Sequence, residues 1–176
     1  ARQLPDALGF DLLDDAVFDR LLRRPKVIEE SIRDPKQIIV IDDGSGDATR
    51  KILEKWEKHV RVFYQPVNKV KGAALREGFS QGMKGSFDWF LTIDSDGQHL
   101  PEEIPKFLEA ARQGQADLIL GNRMNHPQGM PLIRRWTNQI MSGLLSRMVH
   151  RSIPDSQCGF RLVSRSVLEG VRLTCD

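Results

Sequence analysis

Residues 37–42 read QIIVID, and four of the six are β-branched. A run this apolar, with no polar alternation, suits a strand buried on both faces, as in a parallel sheet. The pattern recurs at VRVFYQP (60–66), FDWFLTID (87–94) and ADLILGN (116–122). Between these runs the apolar period changes to that of a helix. DATRKILEKWEKH (47–59) puts Ile52, Leu53 and Trp56 on one face, with Asp47 or Thr49 as N-cap. GAALREGFSQGM (72–83) is helical, and PEEIPKFLEAARQ (101–113) carries Pro101 in its first turn. Strands that alternate with helices imply right-handed crossovers and a mostly parallel sheet covered by helices. The fold class expected is α/β.

A chain of 176 residues fits one domain, 1–176, and can bury a real core. Its net charge of +2 is too small for bulk nucleic-acid binding. Cys158 and Cys175 form neither a metal-ligand spacing nor a disulfide framework, which suits a reducing compartment. The start, ARQLPDALGF, does not read as a signal peptide, and no stretch reaches the roughly 20 apolar residues of a membrane span. The expected location is cytoplasmic, with at most peripheral contact to the cytoplasmic face of a membrane. Residues 14–33 look helical with a break at Pro25, and no strand is expected before Lys36. Near the other end, 130–151 aligns Ile133, Trp136, Ile140, Leu144 and Met148 on one helical stripe, punctuated by Arg134, Arg135, Arg147 and Arg151. Such a stripe either docks on the domain core or lies on a lipid surface as a basic amphipathic helix.

Ligands of open parallel sheets bind at the carboxyl ends of the strands. Three expected strands end in polar clusters there: Asp42-Asp43-Gly44-Ser45-Gly46-Asp47, Asp94-Ser95-Asp96-Gly97-Gln98 and Gly121-Asn122-Arg123. Each alone has a plain explanation in turn and cap chemistry. Together they place two acidic clusters at one edge, and repelling carboxylates call for a cation. Hard oxygen donors suit Mg²⁺ or Mn²⁺, which share their remaining positions with water and phosphate oxygens. Side chains of Asp94 and Asp96 would diverge along a regular strand, so Gly97 has to let the chain turn. One of the pair holds the metal directly; the other reaches it through water or holds a ribose. The Gln98 amide is a further, neutral ligand.

IIVIDDGSGDAT, NKVKGAALREG, LTIDSDGQH, GNR and DSQCGFRL occur in the order and spacing of the family 2 glycosyltransferases of GT-A type. The chain most resembles the subgroup that makes polyprenyl-phosphate sugars, the dolichol-phosphate mannose synthase-like enzymes, from Lys36 to about Leu173. This resemblance implies a nucleotide-sugar donor (UDP- or GDP-linked), a divalent cation, inversion at the anomeric carbon and a polyprenyl (dolichyl or undecaprenyl) phosphate acceptor. By position it implies that Asp42 and Asp43 contact base and ribose, and that Lys71 lies near the nucleotide. Asp94, Asp96 and Gln98 resemble the metal and diphosphate site, and Arg123, Arg134 and Asn138 the set that receives the acceptor phosphate. Asp155 matches the acidic position proposed as base; read by itself it fits a turn or N-cap carboxylate equally well. The family's opening strand, ending in a Pro-x-Tyr-Asn-Glu-like segment, has no match before Lys36, and the family continues beyond Asp176. Val70 stands where the family's loop usually has glycine.

The expected function is therefore metal-dependent, inverting sugar transfer, with the cation on Asp96, aided by Asp94 and Gln98, as Lewis acid. Two alternatives share the fold: transfer to a saccharide hydroxyl, and a transferase-like domain that binds nucleotide or partner without turnover. IDSDG also resembles the loop of haloacid-dehalogenase-type phosphatases, but here it follows at least two strand–helix units and continues with Gln98.

Overall fold

The computed structural model describes residues 7–11, 32, 34–94, 99–114, 116–122 and 132–174, with the backbone alone for 7–11 and 132–135. Six strands form one sheet: β1 (Ala7–Asp11), β2 (Ile38–Asp42), β3 (Arg61–Tyr64), β4 (Trp89–Asp94), β5 (Leu118–Leu120) and β6 (Arg161–Ser164). Their spatial order is β3-β2-β1-β4-β6-β5. The first four strands in that order run parallel, while β6 lies antiparallel to both β4 and β5. The helices are α1 (Thr49–Glu54), α2 (Lys71–Met83), α3 (Ile104–Arg112), α4 (Leu132–Val149) and α5 (Arg165–Gly170).

β1 corrects an expectation, because a strand does precede Lys36. It sits mid-sheet, with Gly9 paired to Ile39 of β2 and to Thr92 of β4. ALGFD is short and has no β-branched residue, so its strand character comes from the two ladders on either side rather than from local preference. β6 was likewise legible only as part of a motif, not as a strand.

Alternation along β2 shows why a continuous apolar run was needed. Ile38 and Val40 join one core cluster with Leu53, Leu91, Ile93, Phe107, Phe160 and Leu162. Ile39 and Ile41 join another with Ala74 of α2. Both faces of the sheet are therefore covered, and truncating a fully enclosed side chain such as Leu91 costs about 2–5 kcal/mol. Phe107 of α3 stacks on Phe160 at 4.3 Å between ring centroids, which ties α3 to the segment entering β6. α1 ends at Glu54, earlier than its periodicity suggested, and the Asp47 carboxylate accepts from Thr49 N at 2.9 Å at its start.

α4 forms close to where it was expected, but its apolar stripe does not dock on the core. Trp136 is 68% exposed, Ile140 60%, Leu144 51% and Met148 76%. Among the helix residues whose side chains are described, Asn138 and Ser142 are buried, two positions along from Trp136 and Ile140. Two positions are 200° of rotation, so polar and apolar stripes lie on opposite sides. The core-docking expectation for Trp136 and Ile140 is overturned. No helix among the described residues is long and apolar enough to cross a membrane. Exchanging Trp136 and Ile140 together for glutamine should leave the unfolding free energy within about 0.5 kcal/mol per site, as for surface positions. A larger loss in chemical denaturation would mean that the stripe is packed.

Candidate functional site

Because β1, β2 and β4 run parallel, their carboxyl ends share an edge, and Asp42 and Asp94 are the last residues of β2 and β4. β5 leads into Gly121 and Asn122 at that same edge, and β6 starts from it. The convergence expected of the three polar clusters is present for their described residues.

Asp42 and Asp43 are each only 2% exposed. Ionised carboxylates tolerate such burial when donors surround them. Asp42 Oδ1 accepts from Ser45 N at 3.0 Å, closing the turn after β2. Asp43 Oδ1 accepts from Lys69 N at 2.8 Å and so fastens this loop to the segment before α2. Gly44 is required at the junction: its φ is +72°, and a Cβ there would stand 2.5 Å from Asn68 N.

That fastened segment delivers Lys71, whose Nζ lies 2.5 Å from Asp94 Oδ1. The lysine side chain is half exposed while that of Asp94 is 15% exposed, so the ammonium covers a carboxylate otherwise enclosed. A pair so open to water contributes at most about 1 kcal/mol. Its importance is placement: a positive charge already answers Asp94. On its other side the carboxylate packs on Gly159, where any Cβ would overlap it. Gly159 is fixed in turn by Thr92, whose Oγ1 donates to its carbonyl oxygen at 2.8 Å.

Asp155 and Asn138 are each 1% exposed, and Asn138 Nδ2 donates to Asp155 Oδ1 at 2.7 Å. Ser142 Oγ lies 3.2 Å from Asn138 Oδ1 and accepts from Ser156 N at 2.9 Å. One turn further on, Ser146 Oγ accepts from Ile153 N at 2.8 Å. Arg161 donates to the carbonyl oxygens of Cys158 (2.6 Å) and Ser156 (3.2 Å), bracing the turn from which Asp155 projects.

Asp96, Gln98 and Arg123 lie outside the described residues, and of Arg134 only the backbone, in the first turn of α4, is described. Of the donors expected for a divalent cation, Asp94 alone lies among the described residues, and no group of three or more His, Cys, Asp or Glu there could hold a metal by itself. Asp94 supplies a hard oxygen at a strand end, its carboxylate is held rigidly against Gly159, and it already receives a positive charge. Sequence reasoning missed Thr92, Lys69, Gly159, Ser142 and Ser146. The serines had a signal: with Asn138 they recur every four residues opposite the apolar stripe.

Residues 16–172 match the profile of glycosyl transferase family 2, so the chain belongs to that family. It is 34% identical over 144 residues to a dolichol-phosphate mannosyltransferase of Pyrococcus furiosus, covering 78% of this chain and 40% of that protein. An undecaprenyl-phosphate 4-deoxy-4-formamido-L-arabinose transferase of Photorhabdus laumondii is 30% identical over 155 residues, covering 86% of this chain and 46% of the relative. The chain thus spans about half the length of the curated relatives it matches. Among solved structures, a glucosyl-3-phosphoglycerate synthase from Mycobacterium tuberculosis, in complex with Mn²⁺ and UDP-glucose, superposes with a TM-score of 0.63 at 18% identity. That match covers 96% of this chain and 58% of the synthase. The fold is the GT-A type α/β fold.

Val70 departs from the family's glycine and bears the conformational consequence. Its φ of 66° and ψ of 157° fall in a region that side chains avoid, and at 60% exposure it gains little packing in return. Such strain costs about 1–3 kcal/mol, against about 0.5–1 kcal/mol of extra chain entropy for glycine. Val70→Gly should therefore raise stability by about 1 kcal/mol, a shift of roughly 2–4 °C in Tm for a chain of this size. An unchanged or lower Tm by calorimetry would contradict the strain.

Proposed function

We propose that this chain transfers a sugar, with inversion, from a nucleotide sugar to a polyprenyl phosphate, and that it depends on Mg²⁺ or Mn²⁺. The observation that carries this reading is the meeting of three groups at one sheet edge: buried Asp42 and Asp43, the Lys71–Asp94 pair, and the Asn138–Asp155 pair. The names of the two relatives above, both transferases of polyprenyl-type phosphates, support the acceptor class.

In this reading Asp42 and Asp43 hold the base and ribose. Asp96, with Asp94 and Gln98, would hold the metal, which when bound would supply Lewis acidity to the leaving diphosphate. Lys71, half exposed and on a long stem, turns from Asp94 to the diphosphate oxygens as these arrive. Arg123 and Arg134 receive the acceptor phosphate by charge-assisted bonds and hold its oxygen in line behind the anomeric carbon. Asp155, fixed by Asn138, orients the acceptor.

α4 adds a partner to the same reading. From 118 to 154 the sequence contains five arginines and no acidic residue. The apolar side chains on the outer face of α4 stand exposed within that basic segment. Exposed apolar side chains among arginines suit an anionic lipid surface, where a polyprenyl phosphate resides.

Two experiments test the proposal. Calorimetric titration with UDP, GDP and their sugars, with and without Mn²⁺, should show metal-dependent binding. Asp96→Asn should weaken it at least tenfold, or about 1.4 kcal/mol. Binding by the parent chain that needs no metal overturns the metal site, and donor binding without transfer to any acceptor favours a non-catalytic domain. The second experiment concerns Asp155. A hydroxyl acceptor needs a positioned base worth typically ~10²–10⁴-fold. A phosphate monoester, with a second pKa near ~6, is already largely deprotonated at neutral pH. Asp155→Asn should therefore cost less than that range, and the residual rate should decline below about pH 6 with protonation of the acceptor. Faster glycosylation of saccharide hydroxyls than of polyprenyl phosphate by the parent would overturn the acceptor class.

A further inference from the structure

We propose that Ser142 is a positioning residue of the transfer site, one that sets the Asp155 carboxylate through Asn138 without touching substrate. The inference rests on the transferase reading above for its activity readout. A carboxamide has two ends of nearly equal shape, so Asn138 could offer Asp155 either a donor or an acceptor. Offering its oxygen to a carboxylate would place two acceptors face to face in a dry site, at a cost of the order of a lost hydrogen bond or more. Something must select the other orientation, and Ser142 is placed to do it. Its hydroxyl is 3% exposed as a residue and lies 3.2 Å from Asn138 Oδ1.

The direction of that bond follows from proton counting. Ser142 Oγ accepts from Ser156 N at 2.9 Å, and its own hydroxyl is placed to donate to Asn138 Oδ1 at 3.2 Å or to Ser156 Oγ at 3.0 Å. A serine hydroxyl carries one proton and a carboxamide oxygen only accepts, so in the Ser142–Asn138 bond the hydroxyl donates and Oδ1 receives. With that oxygen engaged, Nδ2 faces Asp155 at 2.7 Å. The chain of bonds therefore runs one way, from the Ser156 amide through Ser142 and Asn138 to Asp155, and its start and end are adjacent residues. Asp155 is clamped by a closed loop of hydrogen bonds that passes through the inner face of α4.

Ser146 provides the internal control. It bonds the same loop from the same face, with Oγ 2.8 Å from Ile153 N and 3.3 Å from Ile153 O; it also donates to the backbone oxygen of Ser142 at 2.7 Å, but no bond among those described joins it to the Ser142 hydroxyl or to Asn138. A purely structural role predicts like effects for the two serines. A positioning role separates them.

The test compares Ser142→Ala, Ser146→Ala, Asn138→Ala and the Asn138/Ser142 double alanine variant. Ser142→Ala should lower kcat for transfer at least tenfold with the donor KM within twofold, while Ser146→Ala, at comparable Tm, keeps kcat within twofold. The double variant should be no slower than Asn138→Ala alone, because residues acting through one another are non-additive. Ser142→Thr, which keeps the hydroxyl, should recover most of the rate. In parallel, NMR of the ¹⁵N-labelled chain should show slowly exchanging Asn138 carboxamide protons in the parent and in Ser146→Ala, and fast exchange in Ser142→Ala. Equal kcat losses for the two serine variants, or a further tenfold loss in the double variant, would overturn the proposal. So would a protected Asn138 amide in Ser142→Ala. A parent chain that transfers no sugar while the NMR differences hold would sink the transferase reading and leave the Ser142–Asn138 clamp standing.

Discussion

The ladder in which β1 pairs with β2 on one side and β4 on the other governs everything at the site. Parallel pairing allows no hairpin, so each strand end must be followed by a loop and a crossover on the same edge. Asp42 and Asp94 are brought together this way although 52 positions of chain separate them. The cost is that both faces must be covered, which is why Ile38 to Ile41 are all at most 2% exposed. Apolar burial below the edge is thus the condition for carboxylates above it.

Much of this could be read from residues alone. Runs such as IIVI and WFLTI leave few alternatives to a buried strand, and acidic clusters at their ends locate the edge. ALGFD could not be read in the same way, since its five residues hold no periodic signal and are strand-like only between two partners. RLVS at 161–164 is as short and takes its direction from β4 and β5. Within the site, Asp155 was found from its motif, but its environment was not. Asn138 reaches it across 17 positions of chain and Ser142 reaches the adjacent Ser156 across 14, and only the path of the 150–156 turn makes them neighbours.

α4 departs from the ordinary reading of an apolar stripe for a physical reason of the same kind. An apolar stripe is ordinarily the inward one, and its large side chains invite that assignment. Here the inward stripe is made of small polar groups that find partners in the loop before β6. Hydrogen bonds hold the helix, whereas its apolar side is left to whatever meets the domain. A helix attached by directed bonds keeps one rotation about its axis, and that rotation orients Asn138 and Trp136 together.

β6 has a consequence of its own. A sheet built only from parallel crossovers would seat β5 directly beside β4, with adjacent ends a single strand spacing, about 4.8 Å, apart. β6, inserted with the opposite direction, doubles that separation to roughly 10 Å. At the shared edge it contributes a beginning instead of an end, so the incoming 155–160 segment fills the middle of the widened interval. One reversed strand therefore works as a spacer: it sets the end of β4 and the end of β5 two strand spacings apart, with Gly159 seated against the Asp94 carboxylate on one side and Phe160 against Gly121 on the other.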